Sequence, residues 1–218
     1  MNRRYDHATM DWLYGLCHYA IIGLYDALFR GEVAGLEYIP RSGPFLIAAN
    51  HASHLDPPII GSQVSRQIAF FARKSLWKPG FASWWMDSVG CIPVDRDSTD
   101  LAAIKRVLQT LKDGRAVILF PEGTRSPDGN LQPPKGGVGF IVAKTQVPVV
   151  PVRIFNSHIA FGRGGGLRIG TPVSVTFGPP LAPADYDFPE AGKDRYQRTS
   201  EKIMSAIAVI KEHPTTVI

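Results

Sequence analysis

Hydrophobic positions along the chain follow two different spacings. Short, almost continuous apolar runs predict buried strands at residues 45–49, 67–72, 91–94, 116–120 and 149–154. Between these runs, apolar residues recur at helical spacing and predict helices at residues 57–65, 77–88, 98–112, 135–144 and 199–212. A last apolar stretch, residues 167–177, predicts two strands or a hairpin around Pro172. The alternation predicts an α/β fold: a single layered domain with a mixed, largely parallel sheet flanked by helices.

The N-terminal segment, residues 1–31, contains an uncharged run at residues 12–25 that is too short to span a bilayer. Its uncharged run lies between Asp11 and Asp26, and a spanning helix needs roughly 20 apolar residues. We predict an amphipathic helical segment at the membrane interface, followed by the main domain at residues 32–218. The residues able to lie in the bilayer surface are Trp12, Leu13, Leu16, Tyr19, Ile22 and Leu28. The alternative is that this face packs against the domain.

Composition narrows the classes of partner. A chain of 218 residues with 44% hydrophobic content can bury one substantial core. Its net charge of +5 favours an anionic partner. The basic residues are scattered, which favours a membrane surface or a phosphate-bearing substrate over nucleic acid. Cys17 and Cys91 have no paired spacing, so we expect neither a disulfide framework nor a cysteine zinc site, and a reducing, cytosolic environment.

The sharpest local pattern is at residues 50–57, directly after the first predicted strand. His51 and Asp56 would lie about 140° apart on one continuous helix, so they can meet only across a turn. Pro57 favours such a turn, because proline prefers the first helical position and makes Asp56 a candidate N-cap. The carboxylate of Asp56 can then reach Nδ1 of His51 and leave Nε2 free to accept a proton from a hydroxyl.

Two other interpretations of this pattern are open. Asp56 could only cap a helix, with His51 an ordinary polar loop residue. A metal site would use His51, His54 and Asp56, but the spacing differs from the H-x-H-x-D-H pattern of metallo-β-lactamases, and Pro57 occupies the last ligand position. We therefore predict no metal site, and we interpret Ser53 and His54 as structural.

A second polar block, residues 120–126, also follows a predicted strand. Gly123 would allow close approach to a ligand, and Arg125 offers a planar fork that suits phosphate. Glu122 could pair with that arginine or with a substrate hydroxyl. Two more basic side chains, Lys74 and Arg96, follow other strands and would complete an anion pocket if the sheet gathers them. The glycine-rich residues 162–166 lack the features of a phosphate-binding P-loop and predict a flexible loop.

Four blocks, in order, resemble the glycerolipid acyltransferase family, which contains the 1-acylglycerol-3-phosphate acyltransferases. Residues 50–56 are similar to its N-H-x-S-x-x-D block, with the histidine and aspartate of the HX4D motif. The other three matches are residues 90–96 to G-x-x-x-x-x-R, 120–126 to F-P-E-G-T-R-S and 147–152 to V-P-x-x-P-V. Together they span about residues 45–156.

The resemblance implies specific roles. His51 would be the general base and Asp56 its orienting partner. The acceptor-binding residues would be Arg96, Glu122, Gly123, Thr124 and Arg125, with Lys74 at a basic position that the family often has. The implied reaction moves a fatty acyl group from acyl-CoA or acyl carrier protein to the hydroxyl of a lysophosphatidic acid-type acceptor, giving phosphatidic acid in phospholipid biosynthesis, with no cofactor and no metal. Pro93 and residues 133–134 depart from the family pattern and leave the acceptor open.

The sequence therefore predicts an O-acyltransferase that works at the cytoplasmic face of a membrane as a peripheral or monotopic protein. Its partners would be the membrane surface, the lysophospholipid acceptor and the acyl donor, and no nucleic acid. One alternative is an acyltransferase for glycerol 3-phosphate, another lysophospholipid or an aminolipid. Another is a catalytically silent protein that binds anionic lipid, and a zinc-dependent hydrolase is the third.

Overall fold

The structure is a computed structural model that describes residues 10–94 and 101–213. The helices are α1 Trp12–Leu28, α2 Asp56–Ser62, α3 Phe81–Ser88, α4 Leu101–Lys112, α5 Gly136–Thr145, α6 Ser157–Phe161, α7 Pro183–Tyr186 and α8 Arg195–Ala208. The strands are β1 Val33–Ala34, β2 Leu46–Ala49, β3 Ile68–Arg73, β4 Cys91–Val94, β5 Ala116–Leu119, β6 Val149–Phe155 and β7 Ser174–Phe177. Short 3-10 turns lie at Leu36–Tyr38, Lys74–Leu76 and Pro189–Asp194.

The strands form one seven-stranded sheet in the order β1-β7-β6-β2-β5-β3-β4. Every neighbouring pair is parallel except β6 and β7, which are antiparallel. In the centre, Ile47 of β2 lies opposite Ile118 of β5 and Val150 of β6. The predicted α/β fold with a mixed, largely parallel sheet is confirmed. Because β2, β5, β3 and β4 run parallel, the chain leaves all four at the same edge of the sheet.

Both faces of the sheet are covered, which explains why its strands are apolar runs without alternation. Ile47 and its neighbours of the same parity face a core that includes Tyr25 and Phe29 of the N-terminal segment. Leu46 and Ala48 face the opposite core, under α4, α5 and α8. Successive side chains of a strand point to opposite faces, so each central strand contributes to both cores.

Some sequence-based boundaries are wrong. Residues 167–177 form only one strand, β7, and residues 162–170 are an exposed loop. The glycines there leave too few side chains to pack on a sheet. The expected helix at 77–88 is broken before Phe81, where Gly80 has φ +94°. The last helix runs from Arg195 to Ala208, earlier than expected. The helix expected from residue 98 is described from Leu101 onward.

Helix α1 is apolar on both of its sides. Leu13, Tyr14, His18 and Tyr25 are buried against the domain, whereas Trp12 is 76% and Leu16 is 62% exposed. Leu13 therefore faces the protein and not the lipid side expected for it. The hydroxyl of Tyr14 accepts the N–H of Ile68 at 3.2 Å and ties α1 to the start of β3. Among residues 10–94 and 101–213, no helix has the length and apolar character needed to cross a bilayer.

Candidate active site

His51 and Asp56 meet in the loop between β2 and α2. Nδ1 of His51 lies 2.8 Å from Oδ2 of Asp56, and the two residues are only 7% and 0% exposed. The same carboxylate oxygen accepts the backbone N–H groups of Ala52 and Ser53, each at 2.7 Å. Three donors on one oxygen fix the carboxylate. Since that oxygen faces Nδ1, the arrangement favours a proton on Nδ1 and leaves Nε2 as the acceptor.

The expected N-cap role of Asp56 is wrong. Leu55 occupies the N-cap position, Asp56 is the first residue of α2, and no side-chain cap bond forms. Pro57 and Pro58 follow and have no N–H to donate, and the N–H of Ile59 donates to the carbonyl of Leu55 at 2.9 Å, so a capping carboxylate would lack partners. The carboxylate turns back to the loop instead. The two prolines in the first turn of α2 thereby leave the carboxylate of Asp56 available to His51.

The loop after β5 holds His51 from the other side. The ring of Phe120 stacks on the imidazole with centroids 4.1 Å apart and an interplanar angle of 20°. The backbone N–H of Ser126 donates to the carbonyl of His51 at 2.7 Å. The N–H of His51 donates to Oε1 of Glu122 at 3.3 Å. Sequence reasoning did not assign Phe120 a role, although an aromatic directly before Pro121 was a visible signal.

Glu122 is buried behind the backbone of His51. It is only 2% exposed, and this burial raises its pKa to about 7. The nearby carboxylate of Asp56 raises the pKa further, whereas the backbone N–H groups of His51 and Gln132 oppose the shift. The carboxyl therefore lies against the histidine loop and away from solvent. Its expected contact with an acceptor stays a prediction.

The tip of the same loop is open to solvent. Gly123 has φ +69°, a left-handed conformation that favours glycine. Gly123 and Thr124 are exposed, and Arg125 is partly buried. The side chain of Lys135 covers Gly123, with its Cδ 3.1 Å from the point where a Cβ would lie. Lys135 also donates its backbone N–H to the carbonyl of Pro121 at 2.8 Å. Lys135 is thus a further cation at this loop, which sequence reasoning left out of the binding residues.

Of the two other basic residues predicted to bind the acceptor, Lys74 and Arg96, the structure describes only Lys74. Lys74 is the exposed first residue of the 3-10 turn after β3, at the sheet edge where β2 and β5 also end. Arg96 lies outside the described residues. Lys74 therefore lies at the same edge of the sheet as the loop with Glu122 and Arg125, and its role in binding stays a prediction.

The remaining polar residues of the histidine loop have structural contacts. The hydroxyl of Ser53 donates to the carbonyl of Phe161 at 2.7 Å and accepts the N–H of Leu55 at 3.1 Å. The ring of His54 is exposed and lies 6.2 Å from that of Phe161. In the part of the chain that the structure describes, no three His, Cys, Asp or Glu side chains are grouped to hold a metal ion.

Comparison with known proteins identifies the family. A family model described as Acyltransferase matches residues 30–155, more than half of the chain. The chain belongs to the acyltransferase family. This acyltransferase region contains β2, β5 and β6 and both loops that surround His51.

Named relatives agree with this family. The acyltransferase chain is 34% identical over 142 residues to a chloroplastic 1-acyl-sn-glycerol-3-phosphate acyltransferase of Brassica napus, covering 64% of this chain and 41% of that protein. It is 36% identical over 132 residues to the alpha form of 1-acyl-sn-glycerol-3-phosphate acyltransferase of Homo sapiens, covering 56% and 44%. The chain therefore spans less than half the length of these two curated relatives.

A solved structure agrees as well. The crystal structure of the 1-acyl-sn-glycerophosphate (LPA) acyltransferase of Thermotoga maritima superposes with a TM-score of 0.71. The two chains are 26% identical, and the match covers 92% of this chain and 80% of that one. The acyltransferase fold seen here thus extends over nearly the whole chain.

Proposed function

We propose that this chain transfers a fatty acyl group from acyl-CoA or acyl carrier protein to the hydroxyl of a lysophosphatidic acid-type acceptor, giving phosphatidic acid. The main support is the contact of 2.8 Å between Nδ1 of His51 and Oδ2 of Asp56, within the region that matches the acyltransferase family. The relatives named above, which are 1-acyl-sn-glycerol-3-phosphate acyltransferases, favour this acceptor.

In the proposed reaction His51 acts as a general base. Its Nε2 removes the proton of the acceptor hydroxyl while the oxygen attacks the thioester carbonyl, and Asp56 stabilises the imidazolium that forms. When the tetrahedral intermediate collapses, the thiolate leaves and takes the proton from His51. The chemistry requires no cofactor, metal or covalent enzyme intermediate.

The oxyanion of the intermediate needs hydrogen-bond donors. The backbone N–H groups of Ala52 and Ser53 are the donors closest in sequence to His51, but both already bind Asp56. We propose that other groups at the site fill this role. In this proposal the backbone N–H groups of Ala52 and Ser53 hold Asp56, which orients the base, and do not contact the substrate.

The acceptor phosphate would lie at the open tip of the loop after β5. We propose that Gly123, Thr124 and Arg125 bind it, helped by Lys74 and Arg96. Lys135 adds a positive charge at this tip, where its stem covers Gly123. Glu122 would contribute through the N–H of His51, because a buried carboxyl at that position has no direct access to solvent.

The test is acceptor-dependent thiol release from a long-chain acyl thioester in detergent micelles, with lysophosphatidic acid present or absent. Loss of a general base lowers turnover by about 10²- to 10⁴-fold, and we expect this of His51→Ala. His54→Ala is the matched control, since it removes an exposed imidazole from the same loop and should leave turnover near that of the wild type. Full activity of His51→Ala would refute the mechanism.

The same assay separates the alternatives. Release with glycerol 3-phosphate, another lysophospholipid or an aminolipid, but not with lysophosphatidic acid, would keep the mechanism and change the acceptor. If no donor and acceptor pair gives thiol release, the result would favour a protein that only binds anionic lipid. A raised acceptor KM in Arg125→Ala is expected if Arg125 binds the phosphate, and an unchanged KM would contradict that role.

We also propose that the protein works at the cytoplasmic face of a membrane, as a peripheral or monotopic protein. The exposed side of α1, with Trp12 and Leu16, supports contact with a membrane surface. Large apolar side chains on the solvent side of a helix are typical of segments that lie in a bilayer surface.

A further inference from the structure

The loop at residues 162–170, between α6 and β7, is closed at its base. The N–H of Arg168 donates to the carbonyl of Ala160 at 2.7 Å, and the N–H of Gly165 donates to the carbonyl of Gly162 at 3.3 Å. The hydroxyl of Thr171 donates to the carbonyl of Arg168 at 2.8 Å. Such closure is typical of compact surface loops, which frequently have a function. The glycine-rich segment is thus a defined surface feature.

The base of this 162–170 loop joins two functional regions. On one side, Phe161 precedes the loop and accepts the hydroxyl of Ser53, two residues from His51. On the other side, the N–H of Gly170 donates to the carbonyl of Leu28, at the end of α1. The loop therefore lies between the candidate active site and the helix whose exposed side is apolar.

The surface of the 162–170 loop combines aliphatic and cationic side chains. Leu167 is 49% and Ile169 is 67% exposed, and Arg163 and Arg168 are exposed beside them. The sequence has no acidic residue between Asp128 and Asp185. Positive charge here is thus without acidic neighbours along the chain. Exposed leucine and isoleucine cost free energy in water that an apolar surrounding would recover.

We infer that the 162–170 loop contacts an anionic lipid bilayer, with Leu167 and Ile169 entering the acyl boundary and Arg163 and Arg168 binding the headgroups. This inference rests on the proposed function, whose acceptor is a lipid. Two further observations favour a bilayer as the partner. The loop adjoins the end of α1, where Leu24 is 57% exposed, through the bond between Gly170 and Leu28. Its charge also complements an anionic headgroup surface, and its aliphatic tips suit hydrocarbon.

The position of the loop suggests how contact with a bilayer would help the reaction. Because the residue before the loop, Phe161, is bonded to Ser53, a bilayer bound to the loop would lie near the histidine loop. A lysolipid could then reach His51 from the lipid surface without first entering water. The loop and α1 would form two separate contacts with one surface.

The test measures binding to vesicles and needs no turnover, so its failure is distinct from failure of the acyl-transfer proposal. The full chain is sedimented with vesicles of phosphatidylcholine alone or of an equimolar mixture with phosphatidylglycerol. The variants are the doubles Arg163→Ala/Arg168→Ala and Leu167→Ser/Ile169→Ser. The matched control is Arg198→Ala/Val209→Ser, which removes an exposed arginine and a 76% exposed valine at α8, on the opposite face of the sheet.

We expect each loop variant to lose affinity for the anionic vesicles by about tenfold or more. Each basic side chain near such a surface contributes roughly a fivefold effect, and the aliphatic variant loses the apolar burial of Leu167 and Ile169. The control should bind like the wild type. The arginine variant should differ little from the wild type on phosphatidylcholine alone. Loop variants that bind anionic vesicles as tightly as the control, together with a fluorophore on the loop that stays in water when the protein is bound, would overturn the inference. Loss of affinity for acyl carrier protein with unchanged vesicle binding would also overturn it and assign the loop to the donor.

A second measurement covers the case in which α1 dominates the affinity. An environment-sensitive fluorophore is attached at Ile169→Cys in a Cys17→Ala background, because the other cysteine, Cys91, is buried. Its emission should shift to the blue with anionic vesicles, and lipids that bear a quencher in the acyl chain should quench it. An unchanged, unquenched emission while the protein is bound to vesicles would show that the loop stays in water.

Discussion

At the scale of single residues, the candidate site depends on how one carboxylate oxygen is shared. Oδ2 of Asp56 accepts the imidazole of His51 and two backbone N–H groups of the same loop. Three N–H donors on one oxygen hold the carboxylate in one position, and that position sets the orientation of the imidazole. The conformation of the loop and the orientation of the imidazole therefore have a common cause.

Two substitutions of Asp56 should separate these effects. Asp56→Asn keeps an oxygen for the backbone N–H groups but removes the charge that stabilises the imidazolium, so we expect turnover to fall by about 10²- to 10⁴-fold in a folded protein. Asp56→Ala leaves the buried N–H groups of Ala52 and Ser53 without an acceptor, which should lower the free energy of unfolding by about 1–3 kcal/mol per group. Steady-state kinetics and urea denaturation measure the two outcomes. Equal stability of the Asn and Ala variants would contradict this division.

The raised pKa of Glu122 leads to a prediction about how stability depends on pH. Burial raises its pKa from 4.5 to about 7 in the folded protein. Between those two pH values the unfolded chain releases this proton while the folded chain keeps it, so the free energy of unfolding should fall as pH rises through that range. Glu122→Gln removes the titration and should flatten this part of the profile. Urea midpoints measured across the range for both proteins test the expectation, and parallel profiles would contradict the raised pKa.

At the scale of elements, the helix pair α5 and α8 shows where packing overrides propensity. These helices have the most extensive contact between elements in the described chain. Gly139 of α5 faces α8, and a Cβ at this position would lie 1.9 Å from the carbonyl oxygen of Tyr196. The N–H of Gly139 also donates to the buried hydroxyl of Ser200 at 2.8 Å, which ties α5 to α8. Glycine is therefore required by the close approach of the two backbones.

Gly137, in the same helix, is the matched control. It is exposed, and a Cβ there would meet nothing within 4 Å. We expect Gly137→Ala to raise the free energy of unfolding by about 0.5–1 kcal/mol through helix propensity. Gly139→Ala should lower it by about 1–3 kcal/mol, because the helices must move apart. Thermal or urea denaturation of the two variants measures the sign of each change in the free energy of unfolding. A stabilised Gly139→Ala protein would show that the helices can separate without cost.

At the scale of the whole molecule, the N-terminal segment is part of the main core. Phe29, which directly follows α1, and Tyr25 pack in the same buried cluster as Ile47 of β2 and Val150 of β6. The hydroxyl of Tyr25 donates to the carbonyl of Val173 at 2.6 Å, close to β7. The structure thus joins residues on both sides of the boundary predicted at residue 31.

This shared core predicts a single unfolding transition. Phe29→Ala should lower the free energy of unfolding by about 3–5 kcal/mol and shift the whole transition, because it creates a cavity in the common core. Far-ultraviolet circular dichroism and tryptophan fluorescence should report the same midpoint, with Trp12 in α1 among the fluorophores. An early transition confined to α1, with the rest of the protein at its wild-type midpoint, would contradict a common core.

Agreement between sequence and structure depends on how local each feature is. The central strands were predictable because their apolar runs are long enough to exclude other elements, as at residues 45–49 and 116–120. The short elements β1 and α6 were not, since two to five residues show no periodicity. The stretch at 167–177 was misassigned because Leu167 and Ile169, which resemble strand residues, lie exposed in a loop and pack on no sheet.

By itself, the sequence determined the α/β alternation, the two polar loops that follow apolar strands and the pairing of His51 with Asp56. These features depend on side-chain order and on Pro57, which act within a few residues. Only the tertiary structure decided that Phe120 stacks on His51, that Glu122 is buried behind it and that the 162–170 loop lies beside it. Those contacts join residues about 70 to 110 positions apart, and the sheet alone brings them together, because parallel strands distant in sequence end at one edge.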